Sequence, residues 1–530
     1  MDDGRNGELR AVLRNVYVCY WISGGLGLIY QILWLRKLLL VFGSTVHAVS
    51  TVLTVFFGGL ALGSWLFGRL IDRHENAGLR WYGWLEIGIG LYAFITLSLF
   101  DTIQHLYIPL YRASGFSPAT LVAASFGCSV LILLLPTTLL GGTFPVLSRF
   151  LVRSSAERGV KIASLYGINT AGAMIGTLLV YYVGLPILGL FRTILCAGVL
   201  STGIGLLCLI FDRHLAELGF GAASARQEPE PAAATGGESP DELRVLLLAF
   251  GLSGFSAMVY EVAWTRILSL VLGSSIYAFC IMLATFLAGI ALGSALARID
   301  LRRNRASPRQ FITFELWLGM FGLLSIPLFS QLPDWLVTFW PLTGRTWLGL
   351  SWLQALLCAA TMAFPTLLMG YLFPVVSDLL TRRFAQFGQR LGTAYAINTL
   401  GGILGSFLAG FALIPWYGLP GAVIVAALVN FLAGLVVFVR CGLAGSFLRR
   451  LALSAVVLVL ITAASKLGVV PLWQPQVFAE GVYLNPEGYR GASVARSATA
   501  GRLLYYRDGL NTPVSVHQRD HTLFLKVGGK

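Results

Sequence analysis

Charge is what this chain has least of. Only 12% of its 530 residues are Asp, Glu, Lys or Arg, against about 25% in an ordinary soluble domain, and 56% are hydrophobic. That composition excludes a water-soluble globular protein. Cysteine is sparse and scattered: Cys19, Cys128, Cys196, Cys208, Cys280, Cys358 and Cys441 form no CxxC pair, so neither a disulfide framework nor a zinc site is supported. They read as small apolar packing residues. No basic stretch is interleaved with aromatics, so the net charge of +14 does not point to nucleic acid. In an apolar chain, excess positive charge sets membrane orientation.

What fills the chain instead is a repeat. Ser23-Gly24, Tyr30-Gln31, Trp34, Arg36, Gly43-Ser44, Gly59 and Ala61-Leu62-Gly63-Ser64 recur as Ser253-Gly254, Tyr260-Glu261, Trp264, Arg266, Gly273-Ser274, Gly289 and Ala291-Leu292-Gly293-Ser294, 230 residues on. The offset then becomes 229, pairing Glu86 with Glu315, Pro136 with Pro365, Phe144-Pro145 with Phe373-Pro374, Tyr166 with Tyr395, Ile168-Asn169-Thr170 with Ile397-Asn398-Thr399, and Pro186 with Pro415. Matches at so constant an offset mean duplication, and they direct the search for function to where the copies meet.

Apolar runs place six spans in each copy, over 16–211 and 244–440. An even number makes the copies parallel, the relation between the halves of major-facilitator transporters. The expected fold is therefore an all-α polytopic membrane protein, a 6+6 parallel-repeat bundle. Residues 1–15 read as a polar N-terminal tail, and 212–243, rich in Ala, Glu, Pro and Gly, as a disordered linker. Run 449–470, carrying Lys466, reads as a thirteenth helix. Residues 471–530 open a β-rich region, with Val514, Val516, Leu523, Leu525 and Val527 alternating around a polar turn at His517–His521. With the N-terminus in the cytoplasm, loops on that side carry the bulk of the arginines (Arg69, Arg73, Arg149, Arg158, Arg298, Arg302, Arg382 and Arg383 among them), whereas the other side holds Arg36, Lys37, Arg112, Arg192, Arg266 and Arg345. The positive-inside rule fixes the N-terminus inside. A spanning thirteenth run puts the tail outside.

Intramembrane polar groups are the candidate ligand residues, because a carboxylate at mid-span costs about 2.5–3.5 kcal/mol on insertion scales. Glu261 sits within span seven beside Tyr260, and its counterpart is Gln31. It suits a bound cation or a proton, or else an internal ion pair or hydrogen bond with Arg266 or a neighbouring helix. Glu86 and Glu315 lie about a turn and a half into span three of each copy, where a structural role competes with ligand binding. Asn169 and Asn398 read as helix cross-links, with contact to a ligand as the alternative, and Tyr30 and Tyr260 offer cation–π faces. The GxxxG pairs Gly59/Gly63, Gly172/Gly176, Gly289/Gly293 and Gly401/Gly405 read as close helix packing. Between spans two and three, Gly68-Arg69-Leu70-Ile71-Asp72-Arg73 fits the opening of the major-facilitator loop signature, with Gly68, Asp72 and Arg73 as its marks.

Ser253-Gly254-Phe255, Val259-Tyr260-Glu261-Val262-Ala263-Trp264-Thr265-Arg266, Leu287-Ala288-Gly289-Ile290-Ala291-Leu292-Gly293-Ser294 and, in the tail, Leu504-Tyr505-Tyr506-Arg507-Asp508-Gly509-Leu510-Asn511 and Leu525-Lys526-Val527-Gly528-Gly529-Lys530 carry a family resemblance. The chain resembles bacterial fused major-facilitator/spermidine-synthase-like membrane proteins, C-terminally truncated. The resemblance implies an inner-membrane, multi-pass chain whose tail begins a polyamine aminopropyltransferase domain. Decarboxylated S-adenosylmethionine is the cofactor expected of that missing domain alone, with none in this chain and no catalytic or metal residues carried over. Three functions follow as expectations: binding or transport of a small cationic, polyamine-like metabolite between the repeats, anchoring of an aminopropyltransferase, or a scaffold. The expected partners are the lipid bilayer and that metabolite, with no nucleic acid.

Overall fold

A computed structural model describes residues 2–43, 46–74, 78–113, 118–152, 157–218, 240–303, 306–381, 386–441, 473–489, 494, 502–509, 512–519 and 521–529. Repeat one supplies α1 Asp2–Phe42, α2 Val46–Asp72, α3 Leu79–Ala113, α4 Pro118–Leu151, α5 Arg158–Leu179 and α6 Gly189–Glu217. Repeat two supplies α7 Pro240–Leu272, α8 Ile276–Arg303, α9 Pro308–Phe339, α10 Trp347–Leu380, α11 Phe387–Leu408 and α12 Ile414–Cys441. Hydrocarbon offers no partner for backbone N–H and C=O groups, so apolar runs of this length must be helical. Among the described residues ten continuous helical stretches are long and apolar enough to cross a membrane. Two of these, Arg158–Glu217 and Phe387–Arg440, run 60 and 54 residues, enough for two crossings each at about 20 residues per crossing.

Those double stretches reverse at duplicated positions. A π-helical turn, Val180–Leu188 in repeat one and Ala409–Leu413 in repeat two, precedes Gly189 (φ 75°) and Gly418 (φ 71°). The left-handed backbone there suits glycine and turns the chain back. Gly43 (φ 88°) and Gly273 (φ 93°) do the same after α1 and α7. Within helices, Pro136 of α4 leaves the carbonyl of Ile132 without its usual donor. The Tyr92 hydroxyl of α3 donates to that carbonyl at 3.0 Å.

The chain forms two compact units. Unit one comprises Met1–Gly251, Ile290–Pro308 and Gly370–Ile403. In it α2 packs on α4, α3 on α6 and α1 on α5. Small residues allow the close approach: a Cβ on Gly59 would lie 1.8 Å from Thr137 Oγ1, and one on Gly172 1.8 Å from the Trp21 carbonyl oxygen. Unit two comprises Leu252–Gly289, Arg309–Met369 and Leu404–Lys530 and holds the tail. There β1 Arg502–Asp508, β2 Pro513–Arg519 and β3 Thr522–Val527 form an antiparallel sheet in the order β1-β2-β3.

Several boundaries differ from expectation. Helix α1 begins at Asp2 rather than after a separate tail, and α6 and α7 extend to Glu217 and from Pro240 into the expected linker. The remainder of that linker (219–239), the thirteenth run (449–470) and Arg382 and Arg383 lie outside the described residues. His517 is not in the turn. It lies within β2, buried, stacked on Phe524 of β3 at 5.4 Å.

Candidate functional site

The two buried acids of the third spans occupy equivalent settings inside each repeat. Glu86 of α3 is 1% exposed and accepts a hydrogen bond from Ser23 Oγ of α1, with Tyr82 and Ser201 close by. Glu315 of α9 is fully buried and accepts from Asn430 Nδ2 of α12 at 2.6 Å, with Ser253 of α7 close by. Ser23, Glu86 and Ser201 thus correspond by the repeat offset to Ser253, Glu315 and Asn430. Each acid ties together the first, third and sixth helices of its own repeat, as a cross-link would. Ser23, Ser201 and Asn430 were not singled out from sequence, although the offset that pairs the acids also pairs these positions.

Tyr30 and Tyr260 also turn into their own repeats. Tyr30 stacks on Trp34 at 4.9 Å and its hydroxyl donates to Ser201 Oγ at 3.1 Å. Tyr260 stacks on Trp264 at 4.7 Å and packs so tightly on α9 that a Cβ on Gly322 would lie 2.1 Å from its hydroxyl oxygen. Asn169 of α5 lies against Gly24 of α1, and Asn398 Nδ2 of α11 donates to the Phe250 carbonyl at 3.0 Å.

Glu261 stands apart. It is half-buried on α7 and has no hydrogen-bond or ion-pair partner among the described residues. The alternative pairing with Arg266 is not made among the described residues. Arg266 Nη1 instead donates to the Gly509 carbonyl of the tail at 3.2 Å. Next to Gly509, Asp508 accepts from the backbone N–H of Leu419 at 3.1 Å and from the Tyr506 hydroxyl at 2.9 Å. Burial nonetheless pushes the Asp508 carboxyl above the usual carboxylate range.

Unit one contains the loop motif and a set of contacts between the two repeats. Gly68 lets α2 meet α11, since a Cβ there would lie 2.4 Å from the Gly388 carbonyl oxygen. One turn later, Asp72 accepts from the N–H groups of Gly388 and Gln389 at 3.0 and 2.7 Å, capping the first turn of α11. Arg149 lies 3.4 Å from the same carboxylate, whereas Arg73 is exposed. Arg158, opening α5, pairs with Asp378 of α10 at 3.0 Å and donates to the Thr381 carbonyl at 2.9 Å. Sequence reasoning assigned Arg158 only to topology. Phe144 and Tyr166 of repeat one cluster with Phe373 and Tyr395 of repeat two, Tyr166 stacking on Phe373 at 4.2 Å and Phe144 lying 5.6 Å from Phe373. These four aromatics are two duplicated pairs, visible in the sequence but read there only as repeat marks.

Among the described residues no group of three His, Cys, Asp or Glu side chains could hold a metal ion. No family model matches the chain. A polyamine aminopropyltransferase of Corynebacterium efficiens is 28% identical over 293 residues, covering 52% of this chain and 53% of that protein. Polyamine aminopropyltransferase 1 of Streptomyces coelicolor is 26% identical over 196 residues, 37% of this chain and 34% of that one. The chain thus spans about half, or less, of the length of these curated relatives. A bacterial homologue of the iron transporter ferroportin, solved in an outward-facing state, superposes with a TM-score of 0.53 at 16% identity, covering 82% of this chain and all of that one. Helices, repeat and neighbour agree: the chain is a multi-pass membrane protein, a helical bundle of two six-helix repeats that shares its fold with this transporter homologue.

Proposed function

We propose that the bundle carries a small cationic, polyamine-like metabolite across a bacterial inner membrane, with Glu261 as its counter-charge. The observation that carries this reading is a carboxylate within a membrane span that no described residue partners. Such a group is expensive in hydrocarbon unless something of opposite charge meets it. Glu86 and Glu315 already have hydrogen-bond donors inside their repeats and act as cross-links. The faces of Tyr166 and Tyr395 suit an ammonium group passing along the contact between the repeats in unit one. The Arg158–Asp378 pair and the Asp72 cap on α11 are the contacts to be released and remade when that end opens. The polyamine class is supported by the curated relatives' names and by the charge of Glu261. The N-terminus lies in the cytoplasm, on the distribution of arginine.

The test is uptake of labelled putrescine and spermidine into proteoliposomes. Glu261→Gln is expected to lower saturable uptake about tenfold or more, the weight of a charge contact in a low-dielectric site. Glu315→Gln lowers thermal stability and leaves uptake per folded molecule largely intact. Uptake that survives Glu261→Gln undiminished removes the proposal. A second reading, that the bundle anchors an aminopropyltransferase, is favoured by the 28% identity to such an enzyme. Recruitment of a separately supplied soluble aminopropyltransferase, followed as transfer to putrescine that sediments with membranes only when they carry the chain, would select it.

A further inference from the structure

Unit one contains a cleft of about 530 Å³ where α5 begins and α8 ends. It is lined by Tyr17 of α1, Lys161 and Ser164 of α5, Arg298 and Arg302 of α8, and Glu157 just before α5. None of the three cations has a carboxylate within ion-pair distance among the described residues. Arg149 and Arg158, at the same end of the unit, each have one. Topology alone asks for positive charge at this end, but it does not ask that three unpaired charges from two helices converge on one concavity with a single opposing acid. Their mutual repulsion is relieved by an anion between them.

We propose that this cleft binds a phosphate-class anion. A planar carboxylate is satisfied by one guanidinium fork. Two arginines, an ammonium and the hydroxyl of Tyr17 instead offer donors from several directions, which suits a tetrahedral oxyanion with several acceptor oxygens. The start of α5 adds the positive end of its helix dipole. The volume lies within the range of small-molecule sites. Basic pockets between helices at the cytoplasmic face of a membrane take phospholipid headgroups, and free inorganic phosphate has the same chemistry.

The test uses the purified full chain in neutral detergent, with the thermal midpoint read by tryptophan fluorescence. One arm titrates phosphatidylglycerol against phosphatidylcholine in mixed micelles. The other titrates inorganic phosphate against chloride at equal ionic strength. A saturable rise with phosphatidylglycerol or with phosphate is expected, and which arm responds identifies the source. The double variant Arg298→Gln/Arg302→Gln weakens the apparent affinity about tenfold or more, while Arg213→Gln, an exposed arginine outside the cleft, leaves it unchanged. If the double variant folds poorly, Lys161→Gln gives the same reading with a smaller loss. No saturable response in either arm, or one indifferent to the cleft variants, overturns the proposal.

Discussion

At Glu315 the arithmetic of hydrogen bonds is tight. Oε2 accepts from Asn430 Nδ2, while Glu315 Oε1 and Asn430 Oδ1 are both buried without a partner among the described residues. Removing the donor strands the carboxyl group, so Asn430→Leu is expected to destabilise the protein by about 1–3 kcal/mol. Glu315→Gln costs less, because an amide can still accept from Asn430. Thermal unfolding in detergent ranks the two. Glycines divide in the same way by what surrounds them. Gly43 has φ 88° and open space around it, so Gly43→Ala costs only left-handed strain of about 1–2 kcal/mol. Gly59→Ala drives a methyl group into Thr137 and is expected to cost more through overpacking and separation of α2 from α4. Equal loss at both positions would contradict the packing role assigned to the GxxxG pair.

Among elements, the α2–α11 contact is the most exacting. Asp72 satisfies two N–H groups that an uncapped helix leaves orphaned, so Asp72→Ala is expected to cost about 1–2 kcal/mol. It should also raise hydrogen exchange in the first turn of α11 more than elsewhere. The motif that holds Asp72 is legible in sequence because its residues are adjacent. Its partner is not, because Gly388 lies 316 residues away and one sequence carries no record of distant contacts. The same reason separates what was read correctly from what was missed throughout the bundle. Span positions follow from local hydropathy and the duplication from an offset, whereas the Arg158–Asp378 pair and the Ser23, Ser201 and Asn430 donors are tertiary facts. In the tail, alternation located β2 and β3 but assigned His517 to a turn by its polarity. In the sheet, burial and Lys526 hold its imidazole below the ordinary value near 6.5, and Ser515 Oγ lies 2.9 Å from Nε2. Folding therefore favours the neutral ring. That stability is fully present above the unfolded value and is lost as pH falls through the folded one. Protection of the strand amides, corrected for the intrinsic exchange rate, should fall as pH drops below about 6.5, and His517→Gln should flatten the dependence.

For the whole chain, contacts within unit two tie the tail to one end of the helices. Arg266 near the end of α7, Asp334 near the end of α9, Arg345 just before α10 and Leu419 near the start of α12 share one end of the helices, because successive helices alternate in direction. Each meets the tail: Arg266 at Gly509, Asp334 at the Val494 N–H at 2.7 Å, Arg345 at Glu487 at 2.9 Å, and Leu419 at Asp508. Arg345 adopts φ 57°, a strained conformation for a side-chain-bearing residue, at the position that pairs with Glu487. Helix α12 ends at the opposite end of the helices, at Cys441. With the N-terminus inside, as the distribution of arginine leads us to expect, the end of the helices that meets the tail, and the tail bound to it, are predicted to face outside. Single cysteines at Arg519 and Arg213, both exposed, in a Cys196→Ser background give the test in intact cells. An impermeant maleimide should label Arg519→Cys without permeabilisation and Arg213→Cys only after it. Labelling of both positions from the same side would remove the extracytoplasmic tail and, with it, the odd number of crossings.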